Sequence, residues 1–319
     1  MDTKREFTPK LALGTFGLTV ALMILISYLF STFFRLLNGG PTASLNDWQI
    51  ITAQFAMQFF GILGPCVLVA ALSRTDLRET FSLRPLSARQ VLLCLLLGVV
   101  VMFGGNYLNT LFLSLLEAVF GELTIPDVLD GSPFYTAMMA VSSVIVAPLV
   151  EEACFRGAIY KGLSARSSAT AIVLSALLFG LFHLTFYQIL YAFVVGLFLG
   201  TAVHFTRSIW SGVLIHFAAN AVSVALTDFP VAVPEEAAEI SALSDPTATT
   251  LTLIVLAATG LTVAGLILLR LYFVSRNRDR AAGLPPVETR HGALTGAEKA
   301  LLVLLCAAAL ALTALVIVL

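Results

Sequence analysis

The stretch Leu11–Leu37, LALGTFGLTVALMILISYLFSTFFRLL, decides the fold. It follows the charged segment Met1–Lys10 directly and carries no charge before Arg35. An apolar run longer than ~18 residues reads as a membrane-spanning helix, whereas the core of a signal peptide is ~7–15 residues long. No small-residue cleavage site follows, so the run reads as a retained span.

Comparable runs recur along the chain. Hydrophobic spans fall at about 11–37, 50–73, 91–119, 134–163, 168–183, 186–205, 209–226, 250–275 and 298–319. Hydrophobic residues make up 59% of the 319, and 12% are charged, against roughly 25% charged in a soluble domain. Mean hydropathy is +0.96, which excludes a water-soluble globule of this size. The expected fold is all-α: a polytopic transmembrane helical bundle of eight to nine spans. The count is open because 168–183 and 186–205 are short and separated only by Leu184–Thr185, a tight hairpin that need not cross fully. The third span is the least uniform, since it contains Gly104–Asn109, GGNYLN.

Charge fixes the orientation. Lys4, Arg5, Lys10, Arg74, Arg78, Arg84, Arg89, Arg156, Lys161, Arg166, Arg207, Arg270, Arg276, Arg278, Arg280, Arg290 and Lys299 fall on one side, and Arg35 on the other. The opposite side is acidic, with Glu117, Glu122, Asp127, Asp130, Asp228, Glu235, Glu236, Glu239 and Asp245. Basic loops stay in the cytoplasm, so the N-terminus is expected inside and the C-terminus outside. The expected location is a bacterial cell membrane. Three regions follow: 1–133, with three spans and a basic cytoplasmic loop at 74–90; a central region, 134–226; and 227–319, an acidic extracytoplasmic loop with two C-terminal spans. The segments 227–249 and 276–297 read as linkers. Gly196 and Gly200 form a small-xxx-small pair that suits close helix approach. Cys66, Cys94, Cys154 and Cys306 lie in apolar runs without metal spacing and read as packing residues. No nucleotide-binding loop is present, and no nucleic-acid partner is expected.

Ionisable residues inside a membrane are costly and mark function by default. EEACFR, Glu151–Arg156, places Glu152 and Arg156 four residues apart on one helix face, where they neutralise each other. Adjacent glutamates point ~100° apart on a helix, so Glu151 is left without a local cation. A carboxylate in that setting suits a general base. The plainer alternative is an interfacial charge cluster at the cytoplasmic end of the span. Phe179 precedes His183 by one turn, and His216 precedes Asn220 by one turn. Either histidine alone is an ordinary packing residue; two of them and an unpaired glutamate on neighbouring helices suggest a site. His204, at a span end, and His291, in a loop, read as solvated or interfacial.

Peptide hydrolysis needs an activated water, a proton donor for the leaving amine and a stabiliser for the oxyanion. Glu151 can take the water's proton, His183 can hold that water or shuttle a proton, and His216 with Asn220 can donate to the oxyanion. Glu151, His183 and His216 would also make a zinc set with an open position, although the HExxH signature is missing. Metal-free chemistry is the favoured expectation, with zinc as the alternative cofactor.

The patterns EExxxR, FxxxH and HxxxN, in this order on three membrane segments, resemble the CPBP family of CAAX proteases and bacteriocin-processing enzymes, also called type II CAAX or Abi proteins. The resemblance covers about 135–225 and extends to TFSLRPLSARQ, Thr80–Gln90. It implies an intramembrane endopeptidase with 134–226 as catalytic core. Its glutamates and histidines would line a cavity open to the cytosol, and its substrate would be a membrane-associated peptide or lipidated protein. The catalytic residues carried over are Glu151, His183, His216 and Asn220, with Glu152, Arg156 and Phe179 supporting. Two rivals stand beside this reading: a non-catalytic membrane scaffold or immunity protein of the same fold, and a proton-coupled transporter, for which no internal repeat is found.

Overall fold

The computed structural model describes residues 7–76, 80–121, 123, 131–228, 246–285, 287 and 291–318. Among these no β-strand forms; one bridge pairs Ser167 with His291. Among the described residues nine helical segments follow the nine apolar runs. They are α1 (Pro9–Leu37), α2 (Asp47–Leu72), α3 (Ala88–Phe120), α4 (Pro133–Ser164), α5 (Ser168–Phe182), α6 (Phe186–Thr206), α7 (Ile209–Asp228), α8 (Pro246–Ala281) and α9 (Gly296–Val318). Eight are long and apolar enough to cross a membrane, and α5, at 15 residues, is the short one. The eight-to-nine count is explained by that helix.

Helix starts obey local chemistry. Thr8 caps α1 ahead of Pro9, and capping boxes open α2 at Asn46/Gln49 and α3 at Ser87/Gln90. Each supplies side-chain acceptors to first-turn N–H groups that lack helical partners. The outer surface is apolar: Leu25, Leu29 and Phe33 on α1, Leu92 and Leu96 on α3, and Leu251 and Val255 on α8 are all exposed. Such a surface needs lipid, and helices meet that demand by satisfying their backbones internally.

Two boundaries differ from the sequence reading. Residues 276–281, expected in a linker, continue α8, because Arg278 and Asp279 are held by the rest of the bundle. Of the opposite linker, 229–245 lies outside the described residues. So do Lys4, Arg5, Arg78, Arg290, Glu122, Asp127, Asp130, Glu235, Glu236, Glu239 and Asp245.

The loops rich in arginine meet at one end of the bundle. Arg84 and Arg207 approach Asp279 at 2.7 and 3.7 Å, and Arg278 donates to the carbonyl of Pro85 and to Gln90. Ile209 N–H donates to the Ser82 carbonyl, and Arg207 to that of Pro285. Arg166 reaches Glu298 at 3.5 Å. Arg35 sits at the other end, bonded to the Ala43 carbonyl. The segregation read from the sequence thus has a spatial counterpart.

Candidate active site

The site is built on interruptions in α4. Its backbone widens to i→i+5 bonding over Ser142–Val146 and again over Ala153–Ile159, leaving Glu151 and Glu152 at the end of the short α-helical piece between. The first interruption has a legible cause. Ala147 N–H bonds the Ser142 carbonyl, so the next bond in this register would run from residue 148 to Ser143. Residue 148 is proline and has no N–H to give. The Ser143 carbonyl is taken instead by the side-chain amide of Asn220 on α7, at 2.8 Å. Such π-type stretches gather at functional sites.

Glu152 and Arg156 form the pair read from the sequence, at 2.7 Å. It is not interfacial, since both side chains are 0% exposed. Arg156 also donates to the Gly196 carbonyl on α6 at 3.1 Å, and its guanidinium lies 4.5 Å from the centre of the Phe179 ring. Gly196 permits this approach: a Cβ there would sit 3.0 Å from the Ala176 backbone of α5 and 3.3 Å from Arg156 Nη2. Gly212 on α7 makes equivalent room, because a Cβ there would collide with the Glu152 carboxylate.

The two glutamates point apart, as helical spacing suggested, yet both approach one imidazole. His216 stands between them, with Nδ1 3.4 Å from Glu152 Oε1 and Nε2 4.0 Å from Glu151 Oε2. His216 is 6% exposed and Glu151 9%. Glu152 faces Arg156 behind the site, while Glu151 lines a cavity of about 780 Å³. Among the described residues Glu151 Oε2 has no hydrogen-bond partner.

His183, His216, Asn220 and Phe179 line the same cavity. Phe179 is the hub of the cluster: its ring meets His183 at 5.1 Å, His216 at 5.7 Å and Phe155 at 5.0 Å, all edge-on. His183 Nδ1 bonds the Phe179 carbonyl at 2.8 Å. A carbonyl only accepts, so Nδ1 carries the hydrogen and Nε2 of the neutral ring is an acceptor. Leu184, in the left-handed region at φ 53°, turns the chain directly after His183 so that α6 can begin at Phe186. Straight-helix arithmetic puts Glu151, His183 and His216 at different depths. The structure nevertheless brings all three to one cavity.

Helices before the central region add walls that the motif search overlooked. Gln58 of α2, 2% exposed, donates to Ser142 Oγ at 2.9 Å, and Asn109 of α3 donates to the Tyr187 carbonyl at 2.9 Å. Among the described residues the amide oxygens of both lack partners, and both line the cavity. A buried glutamine in an apolar span was the available signal. Elsewhere, His204 is not simply solvated: its Nδ1 lies 2.8 Å from the Tyr160 hydroxyl. Cys66, Cys94 and Cys154 are buried, as packing residues should be.

Glu151, His183 and His216, the donors considered for zinc, share the cavity. Yet among the described residues no group of three His, Cys, Asp or Glu is arranged to hold a metal ion.

The span of this constellation, α4 to α7, coincides with a known family. Residues 133–222 match type II CAAX prenyl endopeptidase Rce1-like. Neither a curated protein nor a solved structure matches the chain. The Rce1-like segment contains all seven motif residues, Glu151, Glu152, Arg156, Phe179, His183, His216 and Asn220, and the eight long apolar helices mark an integral membrane protein. Gln58, Met102 and Asn109, which close the cavity from α2 and α3, lie outside the Rce1-like segment.

Proposed function

We propose that this chain is an intramembrane endopeptidase that hydrolyses peptide bonds of membrane-associated substrates with water activated by Glu151. One observation carries the reading: a buried glutamate faces a large cavity with an unshared oxygen, while its neighbour Glu152 is neutralised by Arg156. In the proposed reaction water donates one hydrogen to Glu151 and another in a hydrogen bond to His183 Nε2. Its oxygen attacks the scissile carbonyl carbon as Glu151 takes the proton. The resulting oxyanion accepts from His216 Nε2–H and from the second amide hydrogen of Asn220. Collapse breaks the C–N bond, and the proton on Glu151 passes to the leaving amine. The buried Glu152–Arg156 pair positions His216 without touching substrate.

Glu151→Gln keeps size and much of the hydrogen bonding but removes the base. Turnover of a membrane-tethered peptide in liposomes, normalised to monodisperse protein, should fall by ~10²–10⁴-fold. His183→Ala should behave alike. Parent-like cleavage by Glu151→Gln overturns the assignment. If the parent cleaves nothing and a cellular phenotype survives in Glu151→Gln, the scaffold reading takes its place. The missing HExxH signature favours metal-free chemistry: exhaustive chelation should leave cleavage intact, and loss that zinc alone restores would reverse this part.

A further inference from the structure

Two buried amides on helices outside the Rce1-like segment offer more acceptors than the fold uses. Gln58 on α2 is 2% exposed and Asn109 on α3 8%. Each gives an N–H to the bundle: Gln58 Nε2 lies 2.9 Å from Ser142 Oγ, and Asn109 Nδ2 lies 2.9 Å from the Tyr187 carbonyl oxygen. A carbonyl only accepts, so the oxygen is the atom of the Asn109 amide that is left over. Among the described residues neither amide oxygen has a hydrogen-bond partner, and both residues line the Glu151 cavity. Buried polar groups are paired in the great majority of cases. Methionine or leucine would fill either position without leaving an oxygen over, so packing does not account for the amides.

Both are docked beside the motif residues. The Gln58 bond ends on Ser142 and the Asn220 bond on Ser143, adjacent residues of α4, so the two amides meet that helix at one level. Gln58 itself lies in a stretch of i→i+5 bonding, Met57–Leu63, and bonds the first residue of the corresponding stretch in α4, Ser142–Val146. Widened turns of this kind gather at functional sites. Asn109 bonds the first turn of α6 at Tyr187, just past the turn that follows His183. One spare acceptor thus stands by the proposed oxyanion donor and the other by the proposed holder of the water. An extended peptide is what would use them. A helix pairs its own N–H groups, whereas a segment drawn out for hydrolysis does not, and within a membrane an unpaired N–H is costly. In the resting protein water can meet such oxygens, and a substrate N–H would take its place.

We propose that Gln58 and Asn109 hold the substrate by its backbone, their amide oxygens accepting from N–H groups that flank the scissile bond. The proposal rests on the proteolytic reading and adds substrate-binding residues from helices that lie outside residues 133–222. Because the contact is to backbone, it favours an extended segment over a helical one and does not read side chains.

The test uses full-length protein in liposomes and a lipid-anchored synthetic peptide, chosen from a randomised set for Glu151-dependent cleavage. Each backbone N–H within four residues of the cut, the scissile one excepted, is replaced in turn by an ester oxygen, which has no hydrogen to donate. In the parent, two positions should each lose about tenfold in kcat/KM, as a hydrogen bond to a buried acceptor disappears. Gln58→Met and Asn109→Leu should each cleave the all-amide peptide about tenfold more slowly, and each should abolish the ester penalty at one of the two positions. A merely structural role would slow cleavage and leave every penalty in place. A residue whose variant keeps the full set of penalties is therefore not an acceptor, and a parent indifferent to every ester overturns the proposal without any variant. Should the apolar variants not fold, Gln58→Asn and Asn109→Gln, which keep the amide and shift its oxygen by one methylene, take their place with the same expectation. Absence of any Glu151-dependent cleavage sinks the proteolytic reading and the acceptors with it, an outcome distinct from cleavage with unmoved penalties.

Discussion

At the basic end of the bundle, side chains close gaps between loops: Asp279 gathers Arg84 and Arg207, Arg278 ties α8 to Pro85, and Gln90 bonds Ser275 at 2.9 Å. At the other end, polar side chains of the same kinds, Asn106, Gln188 and Ser223, turn toward a cavity. The difference lies in what the polar groups meet. Where each finds a partner from another loop, helices are fixed relative to one another; where they line space, they are available to a ligand. Glu152 and Arg156 stand at the boundary, and a catalytic group facing the open half can be held accurately because the half beneath it is laced.

The strongest way to break this division is to attack the boundary. Arg156→Ala leaves Glu152 buried and unpaired, which costs about 3–5 kcal/mol. The yield of monodisperse protein and its thermal midpoint in detergent should fall sharply. Parent-like stability would show that the buried pair does not separate the halves. In the open half, Asn220→Ala should lower turnover by roughly 10²–10³-fold as an oxyanion donor is lost, and stability by about 1–3 kcal/mol as the Ser143 carbonyl loses its partner. Turnover per folded molecule that stays unchanged would reduce Asn220 to a clamp between α7 and α4. The smallest effect belongs to the laced end. Asp279→Asn should cost about 1–2 kcal/mol, because Arg84 and Arg207 are partly exposed and solvent offsets their loss. Its turnover per folded molecule should match the parent, and a slowed enzyme of parent stability would mean that the ends are not independent.

Much of this was visible in sequence because it is local or periodic. Apolar runs give the helices, and the spacing of Glu152 to Arg156 gives their contact. The motifs also name residues that do share a cavity. Three kinds of feature were hidden. A 3.6-residue repeat cannot show where α4 widens, so the approach of both glutamates to His216 went unseen. Pro148 signals a missing N–H, but not that Asn220, far along the chain, bonds the carbonyl left over. Asp279 looked like one charge of a linker, because its cations come from loops nearly two hundred and about seventy residues away.

The brevity of α5 has a consequence for the lipid around the protein. Fifteen residues rise about 22 Å, short of the roughly 30 Å of bilayer hydrocarbon. A bilayer meets such a deficit by thinning around the short helix. Acyl chains would be compressed beside α5, which would shorten the path of water to the carboxylate proposed as the base. Hydrolysis should slow in vesicles of longer-chain lipids even where substrate and protein are unchanged, which makes membrane thickness a control on the rate.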